Sequence, residues 1–188
     1  MEALSAGERA VELDPASVSV RRGLGWLHFY DRDTPRAIEH MRRALAMNPS
    51  ALESVLVLAM AYNQGLRPAE AEATLREGLS GAPGDTALLA VLARSLVLQD
   101  RRPEAEAIHQ RPITMSATRY VSPTDRAKLA LALGLWDEAF DMAEQSRVER
   151  RGWIVYMRVD ALWDPVREDP RYRALLANMK IPGPDGRA

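Results

Sequence analysis

The sequence predicts an all-α fold, an array of stacked antiparallel helix pairs, and three observations predict it. Prolines recur at an interval of 34 residues, as Pro15, Pro49 and Pro83. Set out in rows of that length, the chain repeats small residues in register: Gly25, Ala59 and Ala93, then Ala37, Ala71 and Ala105. Around them apolar residues fall three and four apart, the period of a helix that buries one face. A repeat of this kind builds an array in which each unit buries its apolar surface against its neighbours.

The elements follow in order. Residues 2–14 carry an apolar stripe of Ala3, Leu4, Gly7, Ala10 and Val11. Pro15 stands where a row ends, so residues 1–17 read as a half repeat, the second helix of a pair whose first helix is absent. The next helix, from about Val18, covers that stripe only in part. Two explanations compete: the chain is the C-terminal piece of a longer protein, or the stripe pairs with a second copy. The first full unit spans residues 18–51, the second 52–85 and the third 86–112. Their turns, "DRDTP", "QGLRP" and "QDRRP", end in Pro35, Pro68 and Pro103. Proline suits the first turn of a helix, where no intrahelical N–H bond is lost. In the third unit "HQRP" interrupts the second helix and predicts a short one, and "ITMSATR" after it reads as an irregular loop. A divergent fourth unit covers 120–146, with "GLWDEAF" at its turn.

Residues 151–182 predict a helical cap. Asp169 caps a helix that Pro170 opens; Tyr172, Leu175, Leu176 and Met179 form its stripe, and "IPGP" ends it. Trp153 and Trp163 are expected to anchor this cap. An array must close with a unit whose outer face is polar, and the tail suits that task.

Composition excludes several classes. The 188 residues carry a formal net charge of -1, so bulk charge gives no pull toward nucleic acid or an acidic membrane surface. The absence of cysteine removes disulfides, thiolate metal sites and a cysteine nucleophile. The N-terminus is acidic and amphipathic, unlike a secretory signal, and no apolar run approaches the roughly 18 residues of a membrane span. The expected location is the cytoplasm. His28, His40 and His109 are the only histidines, and none stands three or four residues from another. His28 and His40 fall on opposite helices of one hairpin without an evident third ligand, so no metal is predicted. Glu70 and Glu72, like Glu104 and Glu106, are two apart and share no helix face. No phosphate loop, serine elbow or metalloprotease motif occurs. Neither an enzyme nor a cofactor is expected.

The rows resemble tetratricopeptide repeats, whose pattern runs W-x2-L-G-x2-Y, then A-x3-F, then P. Leu24, Gly25, Ala37, Met41 and Pro49 match it in the first unit; Leu58, Ala59, Tyr62, Ala71, Leu75 and Pro83 match in the second. Arg21 stands in the Trp position and His28 in the Tyr position. The tail, through "W-x-V-Y" (Trp153–Tyr156), "W-D-P" (Trp163–Pro165) and "R-x-D-P-R-Y" (Arg167–Tyr172), resembles the closing segment of bacterial multidomain regulators. In those, a tetratricopeptide region follows a cyclase, kinase or winged-helix domain.

The resemblance implies a right-handed α-solenoid and a protein-binding or scaffold function. The first helix of each pair would line a concave face that holds a peptide or partner domain. On that face it places Arg22, Trp26, Phe29 and Tyr30, then Glu53, Leu56, Met60, Asn63 and Gln64, then Ala87, Arg94, Val97 and Leu98. The partner residues expected are Arg22, Trp26, Phe29, Tyr30, Glu53, Met60, Asn63, Gln64 and Arg94, with Trp26 beside Arg22 and Tyr30 foremost, since aromatics and arginine dominate interface hot spots. A clamp for chaperone C-termini is argued against, because Arg22 alone keeps the charge among the five matching positions, the others being Trp26, Val57, Ala87 and Val91. The alternative function is structural self-association, a homodimer through the N-terminal half repeat, without a peptide ligand.

Overall fold

A computed structural model describes residues 2–179. The order is α1 (Glu2–Leu13), α2 (Val18–Tyr30), α3 (Thr34–Met47), α4 (Leu52–Gln64), α5 (Pro68–Gly81), α6 (Thr86–Val97), α7 (Arg102–Met115), α8 (Pro123–Leu133) and α9 (Trp136–Val148). Two 3-10 segments follow, Gly152–Arg158 and Ala161–Val166, and then α10 (Pro170–Asn178). Among the described residues there is no strand. Helices pair as α2/α3, α4/α5, α6/α7 and α8/α9, and α2, α4, α6 and α8 stack into one layer, giving an α-solenoid of helix pairs. The "IPGP" stretch lies outside the described residues.

Side-chain caps and prolines start most of the helices. Ser17 Oγ accepts from the Val20 N–H, Asp85 from Leu88 and Asp169 from Arg171, each capping orphan donors of a first turn. Pro35, Pro68 and Pro103 sit in the first turns of α3, α5 and α7. The backbone carries a second 34-residue signature. Arg32, Leu66, Asp100 and Gly134 have φ of 65°, 55°, 58° and 73°, one left-handed residue in the turn of each of the four hairpins. Only the last is glycine. The other three hold a conformation that L-residues adopt at a cost, imposed by the pair packing on either side.

Close packing explains the small residues. Ala37, Ala71, Ala105 and Ala139 are fully buried where each second helix crosses its partner. At Gly25 a Cβ would stand 2.5 Å from Met41 Cε and 3.3 Å from His40 Cβ. That approach also stacks His28 on His40, with ring centroids 5.4 Å apart. Burial, and then the neighbouring His28, hold the His40 pKa below the ordinary histidine value.

The third pair departs from its expectation. α7 does not stop short; it runs through Pro112 to Met115, absorbing the first half of the segment read as a loop. Pro112 has no N–H for the ladder, but it lies in the last turns and its ring is fully buried. The Ser116 N–H still closes on the Pro112 carbonyl at 2.9 Å. His109 occupies the position that Met41 and Leu75 hold in the earlier units; its Nε2 lies 3.0 Å from Glu138 Oε2 of α9.

The tail differs most. Its first two segments are 3-10, and they lie over the layer of first helices. Ile154, Met157, Trp163 and Val166 join Ala127, Ala130, Phe140, Tyr172 and Leu175 in a second core on α8, α9 and α10. Arg167 locks the ends: its Nη1 donates to the Arg158 carbonyl at 2.6 Å and to Tyr172 Oη at 2.9 Å. We call residues 152–166 the clasp.

Candidate functional site

The first helices present the inner face because their apolar residues outnumber one stripe. α4, for example, buries Val55, Leu58 and Tyr62 yet still carries Met60, Asn63 and Gln64 toward the clasp. The clasp divides this face into an open cleft and a smaller cavity.

The cleft, about 700 Å³, lies between α2, the start of α4 and the first 3-10 segment, and Trp26, Tyr30, Glu53, Trp153 and Tyr156 line it. Trp26 Nε1 donates to Glu53 Oε1 at 3.2 Å, and Arg22 Nη2 stands 3.1 Å from Glu53 Oε2. One carboxylate therefore fixes both the indole and the guanidinium. Trp26 stacks on Tyr30 with centroids 5.2 Å apart and meets Trp153 at 4.9 Å; Tyr30 lies parallel to Tyr156 at 5.1 Å. Lys128 Nζ sits 5.4 Å above the Trp153 ring. Such aromatic pairs contribute about 0.5–1.5 kcal/mol each beyond the area they bury. Arg32 closes the seam with two hydrogen bonds of 3.1 Å to the Asp164 carboxylate. Burial, reinforced by Asp160 and Tyr156, pushes the Tyr30 pKa far upward, so the phenol stays protonated. Trp153 and Tyr156 nevertheless remain 40% and 42% exposed, and Val155 and Val159 beside them are also open. These four side chains leave exposed apolar surface on the clasp.

The cavity, about 90 Å³, lies deeper, between α4, α6, α8 and the second 3-10 segment. Phe29, Met60, Asn63, Gln64 and Arg94 line it from the helices, joined by Lys128, and Asp160 and Leu162 face them from the clasp. Asn63 Nδ2 donates to the Val91 carbonyl at 3.3 Å and to Ser95 Oγ at 3.0 Å, stapling α4 to α6. Gln64 Oε1 accepts from Thr34 Oγ1 at 2.9 Å. Asp160 accepts from the Leu162 N–H and so caps its segment. Desolvation lowers the Arg94 pKa from the usual arginine value.

The nine expected partner residues thus separate into two groups. Arg22, Trp26, Tyr30 and Glu53 meet at the cleft, and Phe29, Met60, Asn63, Gln64 and Arg94 at the cavity. Phe29 needs correction as an open contact: it is 2% exposed and packs edge-on to Trp26, because its place on α2 faces the core between hairpins. Trp153 also needs correction. Trp163 is a buried anchor, but Trp153 points into the cleft. Sequence reasoning missed Lys128, Tyr156 and Asp160, since nothing in local spacing says that the tail returns across α2. The pair Trp153 and Tyr156, three residues apart and followed by exposed Val159, was the available signal.

Among the described residues no group of three or more histidines and carboxylates is placed to hold a metal, and no helix is long and apolar enough to cross a membrane. No protein-family model matches the sequence, and no curated protein matches it either. A crystal structure does: that of a thermophilic tetratricopeptide-repeat protein of Thermus thermophilus, 20% identical, with a TM-score of 0.62 over 92% of this chain and 89% of that one. The fold is that of a tetratricopeptide-repeat array.

Proposed function

We propose that the chain is a cytoplasmic protein-interaction scaffold that takes a peptide or partner domain on its inner face, with the cleft at Arg22, Trp26, Tyr30 and Glu53 as the principal contact. The observation that carries this reading is the cleft itself. Four aromatic rings and an arginine–glutamate pair border a site of about 700 Å³, with Trp153 and Tyr156 left substantially open. Tryptophan, tyrosine and arginine are the residues that dominate binding at interfaces. Met60, Asn63, Gln64 and Arg94 extend the same face below the clasp. The likeness of the tail to bacterial multidomain regulators supports a regulatory or assembly role within a larger protein.

The test is affinity capture on the immobilised chain, followed by calorimetry with the captured partner. Arg22→Ala with Trp26→Ala is expected to weaken binding by about 2 kcal/mol or more. The melting temperature is expected to fall less than for a core truncation, because both side chains are partly open. An unchanged affinity, or a variant that does not fold, contradicts the assignment.

A second reading, self-association, is favoured by one observation. α1 packs against α2 alone among the major helix contacts and contains no fully buried residue; Leu4 and Val11 are half-buried and Leu13 is 71% exposed. Covering the apolar surface still open on this helix would gain about 25 cal/mol per Å². On this reading, light scattering shows a concentration-dependent dimer that Leu4→Glu with Val11→Glu abolishes. A strict monomer at high concentration, with residues 2–14 well protected from hydrogen exchange, rules the pairing out.

A further inference from the structure

We propose that the cavity beneath the clasp is a binding site for a small zwitterion, a free α-amino acid with a short aliphatic side chain. Three ionisable side chains of both signs line it: Arg94, Lys128 and Asp160. None of them has an ion-pair partner within 4.0 Å among the described residues, although Asp160 is only 4% exposed. The nearby Asp125 acts on Lys128 only from a distance, and Lys128 rests instead over Trp153. Burying charge without compensation is costly, so opposite charges ranged around one cavity call for a group that bridges them.

Two further atoms define what that group must offer. Gln64 Nε2 and Asn63 Oδ1 are buried and bond to no protein group. Asn63 is fixed by its Nδ2 donating to the Val91 carbonyl, which can only accept, and Gln64 Oε1 accepts from the Thr34 hydroxyl. One free donor therefore accompanies the two cations, and one free acceptor accompanies the carboxylate. A carboxylate on the ligand answers Arg94, Lys128 and Gln64 Nε2; an ammonium answers Asp160 and Asn63 Oδ1. A simple anion leaves Asp160 and Asn63 unanswered, and a simple cation leaves Arg94, Lys128 and Gln64. About 90 Å³ exceeds the roughly 10–15 Å³ that one water requires, and the remaining wall, Met60 and Leu162 among it, is apolar. That combination suits a small aliphatic side chain.

Asn63, Gln64 and Arg94 also belong to the face proposed above for a partner, but the inference does not need the cleft at Arg22, Trp26, Tyr30 and Glu53. The experiment is calorimetry and thermal denaturation of the full chain with glycine, alanine and valine. The comparison ligands are acetate, methylammonium, N-acetylalanine, alaninamide and the dipeptide Ala-Ala. The expected result is a raised melting temperature and a measurable heat with at least one free amino acid. Blocking either end, or supplying either charge alone, is expected to weaken binding about tenfold or more. Arg94→Gln and Asp160→Asn should each cause a similar loss; the asparagine retains an acceptor for the Leu162 N–H. The ligand panel needs no partner and the capture experiment needs no amino acid, so the two readings fail separately. Should Arg94→Gln not fold, the ligand panel on the unaltered chain decides. Binding of none of the free amino acids overturns the proposal, as does acetate binding as tightly as alanine. Tighter binding of N-acetylalanine or Ala-Ala overturns it in favour of a peptide end.

Discussion

Trp163→Ala is expected to cost about 3–5 kcal/mol of stability, the range for truncating a fully buried aromatic ring. Trp163 is 3% exposed and stands 6.1 Å, centroid to centroid, from both Phe140 and Tyr172. With Val166, it carries the second 3-10 segment into the core of α8, α9 and α10. Segments of this kind have weak local hydrogen bonding and little helical cooperativity of their own, so their placement depends on such anchors. Urea denaturation followed by circular dichroism and by tryptophan emission is expected to show the loss, with emission changing first as the clasp leaves Trp26. A cost below about 1 kcal/mol would mean that the ring is not a core residue.

Leu75→Ala is expected to cost about 2–5 kcal/mol, with the m-value unchanged. Leu75 has no exposed surface and fills the position of the second unit that Met41, also fully buried, fills in the first. The stacked pairs on both sides resist collapse into the space left behind. Chemical denaturation measures this directly. A loss under about 1 kcal/mol would show that the register assigned to the second unit is wrong by at least one residue, since neighbouring positions on α5 are solvent-facing.

Legibility differed along the chain for physical reasons. Pro35, Pro68 and Pro103 fix φ and punctuate helix starts, so the hairpins can be read locally, and the buried alanines follow from the same period. The left-handed turn residues were not legible. Arg32, Leu66 and Asp100 carry none of the glycine signal for positive φ; packing of the flanking helices imposes it. Pro112 misled because an interior proline usually ends a helix, whereas here its ring is buried in the final turns of α7. The site divided in the same way. Arg22, Trp26 and Glu53 follow from the repeat register, which brings α2 beside α4. The clasp does not, because contacts such as Tyr30 with Tyr156 span more than a hundred residues and leave no local periodicity.

The central claim is that the tail lies across the inner face and reaches α2, setting the shape of both cleft and cavity. Arg32 and Asp164 mark the seam. The chain has no cysteine, so Arg32→Cys with Asp164→Cys introduces the only two thiols. Treatment with a short bismaleimide at low protein concentration is expected to join them within one chain, giving a crosslinked monomer, and adding Trp163→Ala should greatly reduce the yield. Singly labelled or intermolecular products alone, from a folded chain, would contradict the account.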